Sequence, residues 1–474
     1  MTVGAHRGQP AGSPAGQATL YTADWVLPIS AAPIRNGGVL VEQGIIRWVG
    51  AVREMPPQIT DAVPVEALGA AVLMPGLVNA HTHLELTTLR GFLEGFDFRD
   101  WLRTLTEVRR DLLTMDDLVD ASRVGIAEAL RHGITTMADT TDSAAPLQAM
   151  HELGVRGIGY VEVFGPDPAQ CATSIARLQE RVLTLRAQDT SLVQVGVSPH
   201  APYTVSAALF AATATLAREQ ALPMAVHIAE SAAETAFVRD GAGAFAERLQ
   251  ARGIAVAPQA RSPIALLDAC GVLACRPLLI HAIRVDDEDL ARVADRGARI
   301  VHCPISNAKL GHGIAPLDRM LAHGVAVGLG SDSVASNDRM HLLDEARQAT
   351  LWHAVRSGVP DSLDAHTALR LATQGGADAL GLGDVIGTLD TGKAADLVAF
   401  PLDVALVGPV FDPAVTLVHV LAGRAEASFV SVAGAVLVRN GSVTVGAASL
   451  IDGSMTRLVA AASRLEQWRH RGPA

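Results

Sequence analysis

Apolar and polar positions change rhythm twice along the chain. From Thr19 to Val72 they form short β-type segments separated by turn signals, and residues 38–42 and 45–49 flank Gln43-Gly44, which predicts a hairpin. Beyond that stretch, strand-like apolar runs alternate with helical ones. The runs end at His81, Asp139, Val163, His200, His227, His281, Cys303 and Asp332, and a helical stretch runs from Leu118 to His132. About eight β segments alternating with helices predict a (β/α)8 barrel of TIM type. A doubly wound open sheet is the runner-up, but no glycine-rich phosphate turn follows the first strand.

Near Leu389 the β-rich rhythm returns. Residues 392–400 and 430–438 read as strands, and Asn440-Gly441 as a turn. The expected layout is a disordered tail over 1–17, a β-sandwich half over 18–74, the barrel over 75–388, the second sandwich half over 389–447 and a C-terminal helix over 448–474. The barrel is thus inserted in a small sandwich built from both chain ends. Ser454 is the expected cap of the last helix, with Leu458, Ala461, Leu465 and Trp468 on its docking face.

Composition narrows the function classes. The chain has 474 residues, 49% hydrophobic and 18% charged, as expected for a large globular core. Lys+Arg 38 against Asp+Glu 49 gives −11, which disfavours nucleic acid and anionic membrane as partners. No stretch is long and apolar enough to span a bilayer, and residues 1–17 contain no signal-peptide core. Cys171, Cys270, Cys275 and Cys303 make no disulfide framework, so a reducing compartment, the cytoplasm, is expected. Cys270 and Cys275 read as small apolar residues rather than a metal pair.

The candidate chemistry sits at the strand ends, which a (β/α)8 barrel gathers at one mouth. His81 and His83, two residues apart, point the same way if they end a strand. With His227 and Asp332 they offer three nitrogens and one oxygen, a donor set that suits zinc and leaves a position for water. Bound to such an ion, water falls in pKa from 15.7 toward ~7. Glu230 is the candidate proton shuttle, His281 the candidate that orients the attacking oxygen or stabilises charge, and His200 a candidate substrate contact. Each alone reads as a packing or turn residue; the whole set together does not. His302 and His312 keep the packing and loop readings.

The motifs Pro75-Gly76-Leu77-Val78-Asn79-Ala80-His81-Thr82-His83, Ser198-Pro199-His200-Ala201-Pro202-Tyr203-Thr204, His227-Ile228-Ala229-Glu230, His302-Cys303-Pro304-Ile305-Ser306-Asn307-Ala308-Lys309-Leu310 and Gly330-Ser331-Asp332 resemble the amidohydrolase superfamily, in its branch of nucleoside and triazine aminohydrolases. The resemblance covers nearly the whole chain after residue 18. It implies the sandwich-plus-barrel fold, a one-metal site and the roles given above. Zinc is the expected ion, with iron as the alternative. Two-metal relatives bridge their ions with a carboxylated lysine on a barrel strand; the only lysines here, Lys309 and Lys393, are not placed for that.

Within that branch the chain is most similar to deaminases of adenine-type nucleosides. Leu86 stands where the S-adenosylhomocysteine and methylthioadenosine deaminases usually carry methionine. The His-x-His-Leu-Glu form is closer to the aminodeoxyfutalosine enzymes of menaquinone synthesis, so aminodeoxyfutalosine is the expected substrate. Past Trp101, where the former group has a ribose-binding glutamate, this chain has Arg109 and Arg110. An arginine fork suits a distal carboxylate. Glu85 is a candidate acceptor of hydrogen bonds from sugar or ring. The competing readings are two solvated helix arginines and a structural partner for an arginine. A triazine-type chlorohydrolase and a non-catalytic scaffold are the rival functions. The expected partner is a small aminated heterocycle or nucleoside, and the oligomeric state stays open.

Overall fold

The computed structural model describes residues 18–56 and 63–471; the tail expected over 1–17 lies outside them. Three strands, β1 (Thr19–Val26), β2 (Ile34–Glu42) and β3 (Ile45–Ala51), form an antiparallel meander, and Gln43-Gly44 makes the β2–β3 turn. The short β4 (Val65–Ala67) and then β5 (Ala71–Pro75) pair parallel to β1. The chain then leaves this sheet for the barrel at Gly76.

The barrel strands are β6 (Leu77–Thr82), β7 (Ile134–Thr141), β8 (Arg156–Val163), β9 (Val193–Pro199), β10 (Ala225–Ile228), β11 (Leu278–His281), β12 (Arg299–His302) and β13 (Val327–Leu329). They run parallel as two four-stranded runs, β6 to β9 and β10 to β13. Parallel bridges Val197↔Met224 and Thr82↔Asp332 join the runs at both seams and close the ring. The second seam needs Gly330: a Cβ there would meet the His81 Cβ at 2.9 Å and the Val301 Cγ2 at 2.8 Å, so only glycine lets the two chain segments approach. Helices pack outside the strands over one continuous apolar core, and a second cluster including Val78, Ala138, Ile158, Ile280 and Val301 links strands around the ring.

The chain then returns to the first sheet. β14 (Leu397–Pro401) pairs with β5, and β15 (Phe429–Val432), β16 (Ala435–Arg439) and β17 (Ser442–Val443) extend it. The run 430–438, expected as one strand, is a hairpin that turns at Ala433-Gly434, both with positive φ. The expected 392–400 strand is shorter, because residues 391–393 form a turn. A bridge between Ile45 and Ala394 curls the sheet on itself around Val39, Ile46, Leu73, Leu397 and Phe429. On the other face Val72, Met74, Val398 and Phe400 join the main core with the barrel helices. Both faces of the central strands are therefore buried, which explains their uninterrupted apolar character. Arg156 at the foot of β8 grips Asp396 with two hydrogen bonds of 2.8 and 3.0 Å, and this buried fork ties barrel to sandwich.

Two helices and the chain end shape the barrel mouth. Helix α1 (Phe98–Leu112) starts at Asp97, which caps Asp100 N. Helix α2 (Met115–Arg131) starts with a capping box between Thr114 and Asp117, three residues before the expected Leu118. The last helix runs Val445–Arg471, so Ser454 is not its cap. Ser454 lies inside the helix, buried, and donates to Asp120 Oδ1 at 2.6 Å. A serine is a cap only where the helix begins, and here helical residues start nine positions earlier. Ala461 and Leu465 are buried and, with Trp468, pack into the cluster that holds Trp101 and Leu118. Leu458 is partly buried on the same side. Arg457 holds Asp120, Arg464 pairs with Asp117, and Arg464 Nε donates to Leu112 O at 3.1 Å.

Candidate metal centre and active site

The strand ends bring seven of the candidate residues together. His81 lies in β6 and His83 just past it; His200 follows β9; His227 lies in β10, with Glu230 after it; His281 ends β11; Asp332 follows β13. Ligand-capable atoms of His81, His83 and Asp332 lie within 4.8 Å of one another, and so do those of His81, His227 and His281. His81 Nε2 is 3.2 Å and His83 Nε2 3.6 Å from Asp332 Oδ1. The backbone is strained where this happens. Ala229, His281, Ala282 and Asp332 all have positive φ, at 52°, 73°, 45° and 59°. Such conformations are costly away from glycine and collect at functional sites.

Neighbouring side chains aim these groups. Ser306 and Ser336 hydroxyls both donate to Asp332 Oδ2, which leaves Oδ1 toward the histidines. Asn79 and Ser331 zip β6 and the segment after β13 together through two hydrogen bonds of 2.7 and 2.9 Å. Asp139 accepts from Thr82 Oγ1 at 2.8 Å and Leu84 N at 2.6 Å, which fixes the chain on either side of His83. Glu234 accepts from Ala229 N and Glu230 N at 2.8 and 2.9 Å, which anchors the backbone that carries Glu230. His281 Nδ1 sits 2.9 Å from Asn307 Oδ1, so that ring carries its hydrogen on Nδ1. Its Nε2 is then 3.6 Å from Glu230 Oε1.

The donor set fits a divalent metal ion. His81 Nε2 and His227 Nδ1 are buried and have no hydrogen-bond partner. Buried polar atoms are otherwise nearly always paired, so these two are waiting for a partner of another kind. Burial pushes His81 down to about 4, against the opposing pull of Asp332, and pushes His227 well below its ordinary value, with the neighbouring imidazoles adding to the effect. Neutral imidazoles with free lone pairs are the ligand form. For Asp332, burial raises the carboxyl, but His81 and the other histidines outweigh it and hold it well below the usual range. Three nitrogens and one carboxylate oxygen suit zinc.

The pocket above these groups is apolar on the opposite side. Phe98, Trp101, Leu102 and Leu105 of α1, with Leu86 and Leu310, face His83, His200, Glu230 and Asp332. Sequence reasoning passed over this wall, although Phe98, Trp101, Leu102 and Leu105 stand at i, i+3, i+4 and i+7 and so share one helix face. His312 was also missed. It is buried and reaches Glu230 Oε1 at 3.4 Å. His302 is buried and is a member of none of the ligand-capable groups, in keeping with its packing reading.

The remaining candidates stand apart from this cluster. Glu85 is buried, accepts from Thr141 Oγ1 at 2.7 Å and from Ser143 Oγ, and pairs with Arg109 at 2.8 Å. Arg109 also forks onto Asp142. Arg110 is exposed and bonded only to its neighbour Asp111. The arginine fork expected for a distal carboxylate is thus filled by protein carboxylates at Arg109 and turned to solvent at Arg110. The two lysines are also accounted for: Lys309 pairs with Glu94 and Asp338, and Lys393 donates to Gln374 and to the Gly383 and Ile386 carbonyls.

A model of the amidohydrolase family matches residues 72–441. The chain belongs to the amidohydrolase family. This family member is 33% identical over 413 residues to a 5-methylthioadenosine/S-adenosylhomocysteine deaminase of Nitratidesulfovibrio vulgaris (strain DP4), covering 87% of this chain and 89% of the relative. Among solved structures it is similar to an adenosine deaminase from Xanthomonas campestris with bound zinc, at 29% identity and a TM-score of 0.81 over 93% of this chain and 98% of the other. It is similar too to an atrazine chlorohydrolase from Arthrobacter aurescens TC1 complexed with zinc, at 26% identity and a TM-score of 0.79 over 93% and 100% of the two chains. This amidohydrolase is a hydrolase of carbon–nitrogen bonds. No helix among its described residues is long and apolar enough to cross a membrane.

Proposed function

We propose that the protein deaminates a 6-aminopurine nucleoside hydrolytically at C6, releasing ammonia. The observation that carries this reading is the pair of ligand-capable groups that share His81, one with His83 and Asp332 and one with His227 and His281, beside Glu230 and facing an apolar wall. His81, His83, His227 and Asp332 would hold the ion. When bound there, a divalent ion acidifies water and so supplies a nucleophile at neutral pH. Glu230 takes one proton of the attacking water and delivers it to the purine N1, then carries the second, from the oxygen now on C6, to the departing amine, which leaves as ammonia. The His281 Nε2 orients the attacking oxygen beside it. His200, whose Nδ1 is 2.7 Å from Thr204 Oγ1, turns its other nitrogen to the substrate. Phe98, Trp101, Leu102 and Leu105 cover the purine and exclude water, which strengthens the electrostatics inside.

As substrates, the 5′-thio nucleosides methylthioadenosine and S-adenosylhomocysteine rank ahead of aminodeoxyfutalosine. The 33% identical relative carries that substrate pair in its name. Arg109, meanwhile, already serves Glu85 and Asp142, so a distal carboxylate would enter a neighbourhood where protein carboxylates hold the guanidinium, which favours methylthioadenosine, the one of the three without a carboxylate. Aminodeoxyfutalosine stays as the second reading on the His-Leu-Glu motif of residues 83–85. The test is a panel of methylthioadenosine, S-adenosylhomocysteine, aminodeoxyfutalosine, adenosine and a chlorotriazine, scored for ammonia and chloride. Ammonia from the thio nucleosides at the highest kcat/KM supports the ranking. Chloride release without ammonia replaces the deaminase by a triazine hydrolase.

A further inference from the structure

Glu230 is the one group in the mouth that must both accept and return a proton, and two histidines face the same oxygen of it. His281 cannot serve as its neutral donor, because the ring hydrogen is on Nδ1 and is given to Asn307. The second ring, His312, has no assigned role. It lies in the loop Gly311-His312-Gly313 after the helix Pro304–Lys309, and both glycines have positive φ, 72° and 105°. Those two conformations turn the loop so that a side chain between them enters the mouth instead of pointing to solvent. The loop is then pinned. His312 N donates to Asn307 O at 2.9 Å, and Arg284 Nη2 donates to His312 O at 2.9 Å. The ring packs edge-on against Phe98 at 4.5 Å between centroids, so the first residue of α1 fixes its plane. The His312 Nε2 makes no hydrogen bond in this structure and lies 3.4 Å from Glu230 Oε1, within reach of one once the carboxylate turns toward it.

We propose that His312 is a positioning residue for the proton shuttle: its Nε2–H holds one oxygen of Glu230, so that the other oxygen is presented to the attacking water and the purine. This rests on the deaminase reading above. A carboxylate with two free oxygens can rotate about its last bond; one donor on a pinned ring removes that freedom and leaves a single productive direction. Asn307 serves both rings, through its side chain to His281 and its carbonyl to the His312 amide, so the two imidazoles are set from one residue.

The test uses zinc-loaded full-length protein with methylthioadenosine. His312→Phe keeps the ring packing on Phe98 and removes the donor; His312→Gln restores an N–H; His312→Ala repeats the removal without the bulk. We expect full zinc occupancy in all three. Because an orientation effect appears in the turnover step, kcat should fall about tenfold or more in His312→Phe and His312→Ala with KM within about twofold. His312→Gln should recover most of the loss. In a Glu230→Gln background, adding His312→Phe should cost no more than about twofold, since the two residues act as one unit. The inference is overturned if kcat is unchanged, if the loss falls on KM alone, or if the two substitutions multiply. A wild type that deaminates with unaffected His312 variants removes this inference alone. A wild type that deaminates no 6-aminopurine nucleoside removes the functional reading, and the inference with it.

Discussion

Replacing Glu230 by glutamine separates metal binding from proton transfer. Glutamine has nearly the same volume, and the backbone at 230 stays held by Glu234 through the 2.9 Å bond to its amide. None of the ligand-capable clusters includes Glu230, so zinc content should not change. What disappears is the carboxylate placed to accept the proton and return it. Asp332 is no substitute: Ser306 and Ser336 occupy one of its oxygens and the other faces His81 and His83. General acid–base catalysis contributes about 10²–10⁴-fold in rate, which is about 2.7–5.5 kcal/mol of barrier at ~1.4 kcal/mol per factor of ten. The loss should fall within that range, since the His281 Nε2 beside the attacking oxygen can accept a proton but has no path to the departing amine of its own. The assay is steady-state ammonia release alongside metal analysis of the same preparation. Turnover near the wild-type rate at unchanged zinc content would show that Glu230 is not the shuttle.

Four further outcomes follow from the geometry. His83→Ala should lose zinc occupancy itself, because a ligand is removed while the 83–85 backbone remains held by Asp139; metal analysis of purified protein decides this. Wild-type protein should bind one equivalent of metal, since neither lysine is free to bridge a pair, and two equivalents per active chain would contradict that. Arg109→Ala should destabilise the fold by unpairing Glu85 and Asp142, near the low end of the ~3–5 kcal/mol typical of a broken buried pair because Asp142 is about a third exposed, whereas Arg110→Ala should leave the melting midpoint unchanged. Asp120 and Asp117 are held below their ordinary values against the opposing effect of burial, chiefly by Arg457 and Ser454 for the first and by Thr114 and Arg464 for the second. A depressed carboxyl contributes stability above its unfolded pKa of about 3.9 and loses it as pH falls through the lower folded value, so proteolysis should release the C-terminal helix more readily as pH drops below ~4.

What the sequence made legible depended on periodicity and on strand ends. His81, His200, His227, His281 and Asp332 each close or follow an apolar run, and barrel topology turns that one-dimensional fact into a shared mouth. His312 carries no such mark. Its place in the mouth comes from two glycine conformations and a contact with Phe98, none of which a strand-end search examines. Glu85 and Arg109, 24 positions apart, are joined only because α1 folds back over the mouth. Their pairing is a tertiary fact, and the motif that contains Glu85 looks the same with or without it. The 430–438 run misled for a local reason. Ala433-Gly434 is a weak turn signal inside an apolar stretch, and the sandwich's burial on both faces hid the alternation that would have marked two strands.

The most direct test of the account is to mix zinc-loaded protein with methylthioadenosine and follow the adenine-to-hypoxanthine absorbance change together with free ammonia. The account predicts one ammonia per nucleoside consumed, loss of turnover on chelation and its return when zinc is restored. Full turnover in metal-free protein, or nucleoside consumed without ammonia, would contradict it.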